Sequence, residues 1–371
     1  MFNIHNKEAI ETIREWLDEI SYSTLNYRIM QSLDQTGQLY PDFYNFMGSI
    51  DRINPLYAFI FSIFRLGQPT EHPFLKTFIS VKVIDAFVET GLLVKEGCNY
   101  RMPEIGILPL RGMYYVAPLP GTYPTVSRNC RFEPVNQYAQ LMMDEVASQS
   151  AGTDFIEIHA DFGMLANVAA ARGFKNIRIR PKHTDYIPFI QLNLLLNSHE
   201  GEVITYNDSK KYDLIVGVNL SVNEKIGNRN PVFSDEYDVI KLFSMFNQLK
   251  KKGQSILLLE SLGSIAEIIV NERLKKTDGL NIKSVVLDKV PYQVFLLACY
   301  IQSSWEKQFE LFPYDYVDYA KKTIESSEGK EFVFTQLLKI NKQKTDEPFV
   351  LFPFYNPKYS DPVYNYASLT M

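Results

Sequence analysis

The sequence predicts an α/β protein whose larger part is a mostly parallel sheet with helices on both faces. Two observations predict this fold class. Residues 155–197 carry a short apolar run, an alanine-rich helix pattern ended by Gly173, a second apolar run and a second helix pattern, which is the order of a βαβα unit. Further along, the near-continuous apolar runs Tyr212–Val218 and Gln254–Glu260 are typical of strands buried on both faces of a parallel sheet.

The composition is that of a globular protein, and it excludes several classes of function. Of the 371 residues, 46% are hydrophobic and 22% are charged, and the formal net charge is −5. Nucleic-acid binding needs clustered lysine and arginine, which an acidic chain does not favour. The sequence has no run of about 18 apolar residues, and its three cysteines lie far apart, as expected in a reducing compartment. We therefore expect a cytoplasmic protein with no nucleic-acid or membrane partner.

Residues 1–148 are predicted to form a helical or winged-helix domain. Helix patterns at Tyr57–Phe64 and Pro73–Thr90 lead into a Gly91-Leu-Leu step and a tight hairpin turn at Gly97. In an acidic protein such a module serves packing or dimerisation more often than DNA binding. We therefore expect a homodimer or a protein partner.

Residues 152–344 are predicted to form the sheet domain, and the polar stretch Ser148–Gly152 separates the two domains. The later part of this domain is expected to contain two helices, Asp235–Lys250, which Gly253 caps, and Ile265–Lys275. It is also expected to contain strands at Ile282–Leu287, Gln293–Ile301 and Phe332–Ile340. Residues 345–371 form an aromatic and proline-rich C-terminal tail with seven Phe or Tyr and four prolines. We expect this tail to be ordered, extended across an apolar groove of its own chain or of a partner.

Three local motifs occur in the order in which one enzyme family carries them. They are Asn193–Asn197 (NLLLN) at a helix end, Tyr212–Val216 (YDLIV) on a strand, and Leu249–Gly253 (LKKKG) before a strand. With these motifs the chain resembles class I S-adenosylmethionine-dependent methyltransferases, and within them the branch of the release-factor glutamine methyltransferases. The resemblance implies a Rossmann-like domain of seven strands behind a helical or winged-helix domain, with S-adenosylmethionine as the cofactor.

The chain departs from that family at three contact points. The family's glycine-rich turn, D-x-G-x-G-x-G, aligns with Glu157–Gly163, where only the last glycine is kept. Pro181 stands where an acidic residue would hold the ribose hydroxyls, and the N-P-P-Y loop aligns with Val218–Ser221, which lacks both prolines. Because a Cβ blocks the close approach of the cofactor to the backbone, we expect weak binding of S-adenosylmethionine and loss of glutamine methylation.

Polar residues at these strand ends are the candidate site. The resemblance implies a cofactor-binding set of Glu157, Gly163, Asn207 and Asp208. The catalytic candidates are His159, Asp161 and Asn219. Asn207 and Asp208 follow the third strand, where this fold often contacts an adenine, and a polar turn explains them equally well.

Two His-x-Asp triplets, His159-Ala-Asp161 and His183-Thr-Asp185, follow consecutive strands. Converging histidines and carboxylates bind divalent metals or carry out acid–base chemistry. His183 and Asp185 are explained more simply as an exposed loop with a helix cap, so no metal is assigned. His159 is the stronger candidate, because it replaces a glycine of the cofactor turn.

Two hypotheses of function follow. The first is a divergent methyltransferase-like enzyme that acts on a small metabolite or a peptide. The second is a catalytically inactive methyltransferase-like protein, a pseudoenzyme that serves as a binding or regulatory partner. Binding of S-adenosylmethionine distinguishes the two.

Overall fold

The structure is a computed structural model that describes residues 2–24, 55–103, 105–118, 137–205, 209–223, 237–238, 245–262, 280–291, 332–342 and 349–352. The described helices are α1 (Lys7–Glu19), α2 (Pro55–Leu66), α3 (His72–Phe78), α4 (Val81–Glu89), α5 (Gln137–Ser148), α6 (Met164–Ala171) and α7 (Ile187–Leu196). The described strands are β1 (Thr70–Glu71), β2 (Val94–Glu96), β3 (Asn99–Arg101), β4 (Ile105–Leu110), β5 (Met113–Pro118), β6 (Asp154–Ala160), β7 (Asn176–Pro181), β8 (Glu202–Val203), β9 (Tyr212–Asn223), β10 (Tyr237–Asp238), β11 (Leu249–Leu262), β12 (Asn281–Pro291), β13 (Phe332–Asn341) and β14 (Phe349–Phe352). None of these helices is long and apolar enough to cross a membrane.

The chain forms two compact units. The first comprises residues 1–134, 160–171 and 181–205, and the second comprises residues 135–159, 172–180 and 206–371. This division differs from the predicted domains at 1–148 and 152–344, because α5 belongs to the second unit, whereas α6 and α7 belong to the first.

The helices of the first unit share an aromatic core. Asn6 starts α1 by accepting a hydrogen bond from the N–H of Ala9 on its side chain. The ring of Trp16 meets the rings of Phe64 and Phe87 edge to face, at centroid distances of 5.9 and 5.8 Å. These contacts join α1, α2 and α4.

The prediction of one helix over Pro73–Thr90 is wrong, because the segment folds as α3 and α4. Between them the side chain of Ser80 accepts a hydrogen bond from the N–H of Val83, so a new helix begins there. After α4 the predicted hairpin is present. Strands β2 and β3 pair antiparallel, Gly97 has φ +63° in their turn, and β1 pairs with the other edge of β3.

The NLLLN motif has a structural role in the first unit. The side-chain oxygen of Asn193 on α7 accepts from the N–H of Val116 at 2.7 Å, and its Nδ2 donates to the carbonyl of Val116 at 3.2 Å. Asn197 bonds the N–H and carbonyl of Tyr114 in the same way, at 2.8 and 2.7 Å. Two side-chain amides therefore pair with alternate residues of strand β5, as a neighbouring strand would.

The large sheet has the strand order β14-β12-β13-β11-β9-β6-β7-β8, with β10 paired to β9. Strand β9 runs parallel to β6 and β11, whereas β13 runs antiparallel to β11 and β12. Strands β6 to β9 and β11 to β13 make up the predicted seven-stranded sheet, so the Rossmann-like α/β fold class is confirmed. Strands β10 and β14 are additions to it.

A buried polar ladder crosses the antiparallel part of the sheet. The amide of Gln336 on β13 donates to the hydroxyl of Ser261 on β11 at 3.0 Å, and its carbonyl oxygen accepts from the hydroxyl of Ser284 on β12 at 3.3 Å. All three side chains are fully buried. Buried polar groups need such partners, so the ladder favours one register of the three strands.

The prediction of a helix over Asp235–Lys250 has the wrong bounds. Tyr237–Asp238 is strand β10, residues 245–246 are helical as predicted, and β11 already begins at Leu249. Residues 239–244 lie outside the described residues. Gly253 does not cap a helix. It lies in β11, where a Cβ would meet the carbonyl oxygen of Tyr212 at 2.8 Å, so the glycine is needed for close approach of two backbones.

The beginning of the C-terminal tail adds a strand to the sheet edge. Strand β14 pairs parallel with residues 282–285 of β12, which agrees with the expectation of an ordered tail for these four residues. The predicted helix Ile265–Lys275 and strand Gln293–Ile301, and the tail beyond Phe352, lie outside the described residues.

Candidate functional site

The strand order of the sheet reverses between β6 and β9. From β6 the chain builds β7 and β8 on one side and β9 and β11 on the other, so this pair marks the topological switch point of the sheet. In open α/β sheets, ligands bind outside the carboxyl ends of the strands at such a point. The parallel register pairs Glu157 with Val216 and Ile158 with Gly217, so the next residues are His159, near the end of β6, and Val218, within the longer β9.

His159 has two unusual features. Its backbone is left-handed, with φ +58°, and its side chain is buried, with 7% exposed. Its Nδ1 lies 3.3 Å from the carbonyl oxygen of Val218. Because a carbonyl only accepts, this bond requires the proton on Nδ1, which selects one tautomer of the neutral ring. The imidazole therefore bridges the two strands of the switch point.

The strand opposite His159 is irregular at the same level. The register of β9 against β11 shifts between the pairs Gly217–Leu257 and Leu220–Leu259, so Val218 and Asn219 together face a single residue. Such bulges re-aim the chain and occur often beside functional sites. Of the predicted residues, Glu157, His159 and Asn219 thus lie on the two neighbouring strands, with Glu157 buried within β6.

The other turn residues belong to the first unit. Gly163 precedes α6 with φ +68°, and a Cβ there would lie 3.2 Å from Cγ2 of Ile190. Both its backbone conformation and its packing therefore require glycine. Asp161 is half-buried in the same turn.

The remaining predicted contacts are weaker. Strand β7 ends at Pro181, so the position of the family's acidic residue carries no acceptor side chain. Asn207 and Asp208 lie outside the described residues. His183 and Asp185 are exposed, as the simpler interpretation predicted, but the side chain of His183 makes no capping hydrogen bond at the Thr184–Tyr186 turn, and the N-cap of α7 is Tyr186. Within the described segments, no group of three His, Cys, Asp or Glu is placed to hold a metal ion.

The opposite, amino-terminal edge of the sheet is held by an ionic cluster. Lys250 donates to Asp154 and, at 2.9 Å, to Asp213, and Asp213 also accepts from the backbone N–H groups of Thr153 and Asp154. Burial alone would raise the pKa of Asp213, but the hydrogen bonds from Lys250 and the two N–H groups outweigh burial and hold that pKa below its usual 3.8. The YDLIV aspartate is therefore structural rather than part of the candidate site.

Sequence reasoning missed three polar residues behind the turn after β6. Asn193 and Asn167 are fully buried, and His199 is hydrogen-bonded to Asn167. The NLLLN motif was a signal for the first of them. No spacing in the sequence connects Asn167 with His199, because the two residues lie 32 positions apart on separate segments.

No family model and no curated protein matches the chain. Among solved structures it is similar to an O-methyltransferase from a trans-AT PKS multienzyme of Brevibacillus brevis in complex with S-adenosyl-L-homocysteine, at 12% identity and TM-score 0.32, covering 56% of this chain and 73% of that one. It is also similar to Pyrococcus horikoshii TYW2 in complex with MeSAdo, at 13% identity and TM-score 0.36, covering 74% and 86%.

A third similar structure is the Methanocaldococcus jannaschii tRNA m1G37 methyltransferase, at 12% identity and TM-score 0.36. The similarity covers 65% of this chain and 58% of that protein, which is less than two thirds of its length. All three likenesses are distant and concern the fold alone.

Proposed function

We propose that this protein is a divergent S-adenosylmethionine-dependent methyltransferase-like protein that acts on a small metabolite or a peptide. We further propose that the glutamine methylation of the branch it resembles has been lost. The observation that carries the proposal is the backbone of His159, which is left-handed at φ +58° where the family turn has a glycine. Gly163, four residues later, is left-handed as well, at φ +68°.

The left-handed histidine is informative because it is unfavourable. A non-glycine residue in this region costs about 1–2 kcal/mol. Strained backbone of this kind persists mainly where the surrounding structure or a function requires it, and it clusters at ligand sites. The chain has thus kept the backbone of a cofactor turn at the switch point, although the side chain has changed.

S-adenosylmethionine fits this turn only in part. The left-handed backbone at His159 and the glycine at position 163 suit the close approach of a nucleotide cofactor. The imidazole of His159, however, lies against the carbonyl of Val218, and Pro181 offers no acceptor to ribose hydroxyls. We therefore expect a weakly bound cofactor in a pose shifted from that of the family, and no chemical step is derived through it. The net charge of −5 disfavours a nucleic acid as the substrate.

A second candidate function is a catalytically inactive binding partner. The hydrogen bond from His159 to Val218 favours this second function, because the bond places the imidazole across the two strands that would receive the cofactor. The four described large apolar side chains that stand exposed, Phe74, Val81, Val88 and Val94, all lie within residues 74–94 of the proposed winged-helix domain. They support a role for that domain in packing against a second copy or a partner.

The two functions are separated by calorimetric titration with S-adenosylmethionine. The test variant is His159→Gly, which removes the imidazole and the left-handed strain together. The matched control is Arg111→Gly, because Arg111 is an exposed residue with a similar left-handed backbone, φ +54°, in the β4–β5 turn. Both variants lose left-handed strain of about 1–2 kcal/mol, but only His159→Gly also loses a buried imidazole and its bond to Val218, so His159→Gly should be less stable than Arg111→Gly. Only His159→Gly should bind S-adenosylmethionine more tightly than the wild type.

Absence of binding up to millimolar S-adenosylmethionine in the wild type and in His159→Gly would rule out the enzyme proposal. A third variant, His159→Gly combined with Asp161→Gly and Pro181→Asp, restores all three family contacts at once. No gain in binding from this triple change would mean that the pocket is remodelled elsewhere.

A further inference from the structure

Asn193 holds the turn after β6 as well as strand β5. Its side chain is fully buried, and its Nδ2 donates to the carbonyl of Phe162 at 3.1 Å in addition to that of Val116. Its Oδ1 accepts from the N–H of Val116 at 2.7 Å. Both amide hydrogens face carbonyls and the oxygen faces an N–H, so the orientation of this amide is determined by its partners.

Asn167 holds the next carbonyl of the same turn. Its side chain is fully buried, and its Nδ2 donates to the carbonyl of Gly163 at 2.9 Å, beside the helical bond from its own N–H. Its Oδ1 lies 2.9 Å from Nδ1 of His199. Because Nδ2 faces a carbonyl, Oδ1 must be the acceptor, so Nδ1 of His199 carries a proton. Burial lowers the pKa of His199, which favours the neutral ring in this tautomer.

We propose that Asn167, Asn193 and His199 are positioning residues that fix the Phe162–Gly163 turn from behind before any ligand binds. The inference rests on the proposed function, since this turn is the part of the fold that approaches a nucleotide cofactor. The carbonyls of Phe162 and Gly163 are each held by a buried amide, and His199 holds one of those amides in place. A turn fixed in this way avoids ordering entropy on binding.

The clamp formed by Asn167, Asn193 and His199 compensates for the glycines that the family turn has and this chain lacks. Of the three glycines of the family turn, this chain keeps only Gly163, and the left-handed histidine at 159 adds strain to the same short segment. Because the side-chain amides of Asn167 and Asn193 are buried and hydrogen-bonded, they would keep this segment in a single conformation. The ligand expected at this turn is of the class proposed above, an adenosyl cofactor that binds weakly to a preformed turn.

The test uses the full chain without cofactor and measures hydrogen exchange of the backbone amides of residues 161–167 by mass spectrometry. His199→Ala removes the outermost member of the clamp. His199→Asn is the conservative variant, because its amide nitrogen replaces Nδ1 as the donor. Thr90→Val is the matched control, since the buried Thr90 hydroxyl bonds the carbonyls of Ala86 and Phe87, both in helix α4 of the same unit.

The expected result is exchange about tenfold faster at residues 161–167 in His199→Ala, equivalent to 1.4 kcal/mol of local opening. His199→Asn should restore the slow exchange, and Thr90→Val should leave these residues unchanged. Unchanged exchange in His199→Ala, or equal acceleration in Thr90→Val, would overturn the proposal.

Calorimetry with S-adenosylmethionine supplies the second readout. We expect His199→Ala to bind about tenfold more weakly than the wild type, with recovery in His199→Asn. Equal affinity of His199→Ala and the wild type would overturn the positioning role. If the wild type binds no S-adenosylmethionine, the proposed function fails, and the exchange result alone decides whether the clamp holds the turn.

Discussion

Replacement of Gly163 by alanine should destabilise the protein more than an ordinary left-handed glycine position would. Two separate terms act there. The backbone has φ +68°, and a Cβ would lie 3.2 Å from Cγ2 of the fully buried Ile190. The first term is backbone strain and the second is overpacking against a side chain that has little room to move.

The magnitude follows from a comparison with Gly97. At Gly97 φ is +63°, and a Cβ would meet nothing within 4 Å, so Gly97→Ala measures the backbone term alone. That term is about 1–2 kcal/mol. The tight contact with Ile190 adds roughly 1 kcal/mol, the lower end of overpacking costs. We therefore expect Gly163→Ala to lose about 2–3 kcal/mol.

Urea unfolding followed by circular dichroism measures both variants, with the slope of the transition checked for constancy. A double-mutant cycle with Ile190→Ala isolates the contact, because the double variant should recover about 1 kcal/mol relative to additivity. Equal losses for Gly163→Ala and Gly97→Ala, with no coupling to Ile190, would refute the packing described at the turn.

Three further predictions concern the second unit. Lys250→Met should make the free energy of unfolding less dependent on pH in the acid range, as measured by unfolding between pH 2 and 6. The folded-state pKa values of Asp154 and Asp213 are lowered, so their contribution to stability is present above pH 3.8 and is lost as the pH falls below that value. Gln336→Ala should cost about 1–3 kcal/mol in thermal unfolding, whereas an equal stability would show that the buried ladder does not contribute. Truncation before Asp346 removes β14 and should lower the melting temperature or change the mass in light scattering, and a truncated protein identical in both would show the tail to be dispensable.

The fold was predictable because its signals are local and repeated. Apolar runs marked β6, β9 and β11, and the glycine at 163 marked the start of α6. The end of the helix predicted over Asp235–Lys250 was misplaced for a physical reason. LKKKG has the composition of a helix end with a glycine cap, but Gly253 is required by the carbonyl of Tyr212, which approaches from the neighbouring strand β9.

The candidate site was predictable only in its strand-end positions. Alignment to the family turn pointed to His159 as a candidate, but no sequence pattern reports its left-handed backbone or its bond to Val218. The hydrogen bonds of Asn167 to the carbonyl of Gly163 and to His199 could not be predicted for the same reason, because they depend on how separate segments pack. Pairing between side chains and backbone depends on tertiary packing that spacing along the chain does not encode.

The most direct test of the central claim is calorimetric titration of wild type and His159→Gly with S-adenosylmethionine under identical conditions. We predict weak but measurable binding to the wild type, with a dissociation constant on the order of 0.1–1 mM, corresponding to roughly −4 to −5.5 kcal/mol. Binding to His159→Gly should be at least about tenfold tighter, because the imidazole no longer lies across β6 and β9. No heat of binding in either protein up to millimolar ligand would contradict the claim that the switch point of this sheet still receives the cofactor.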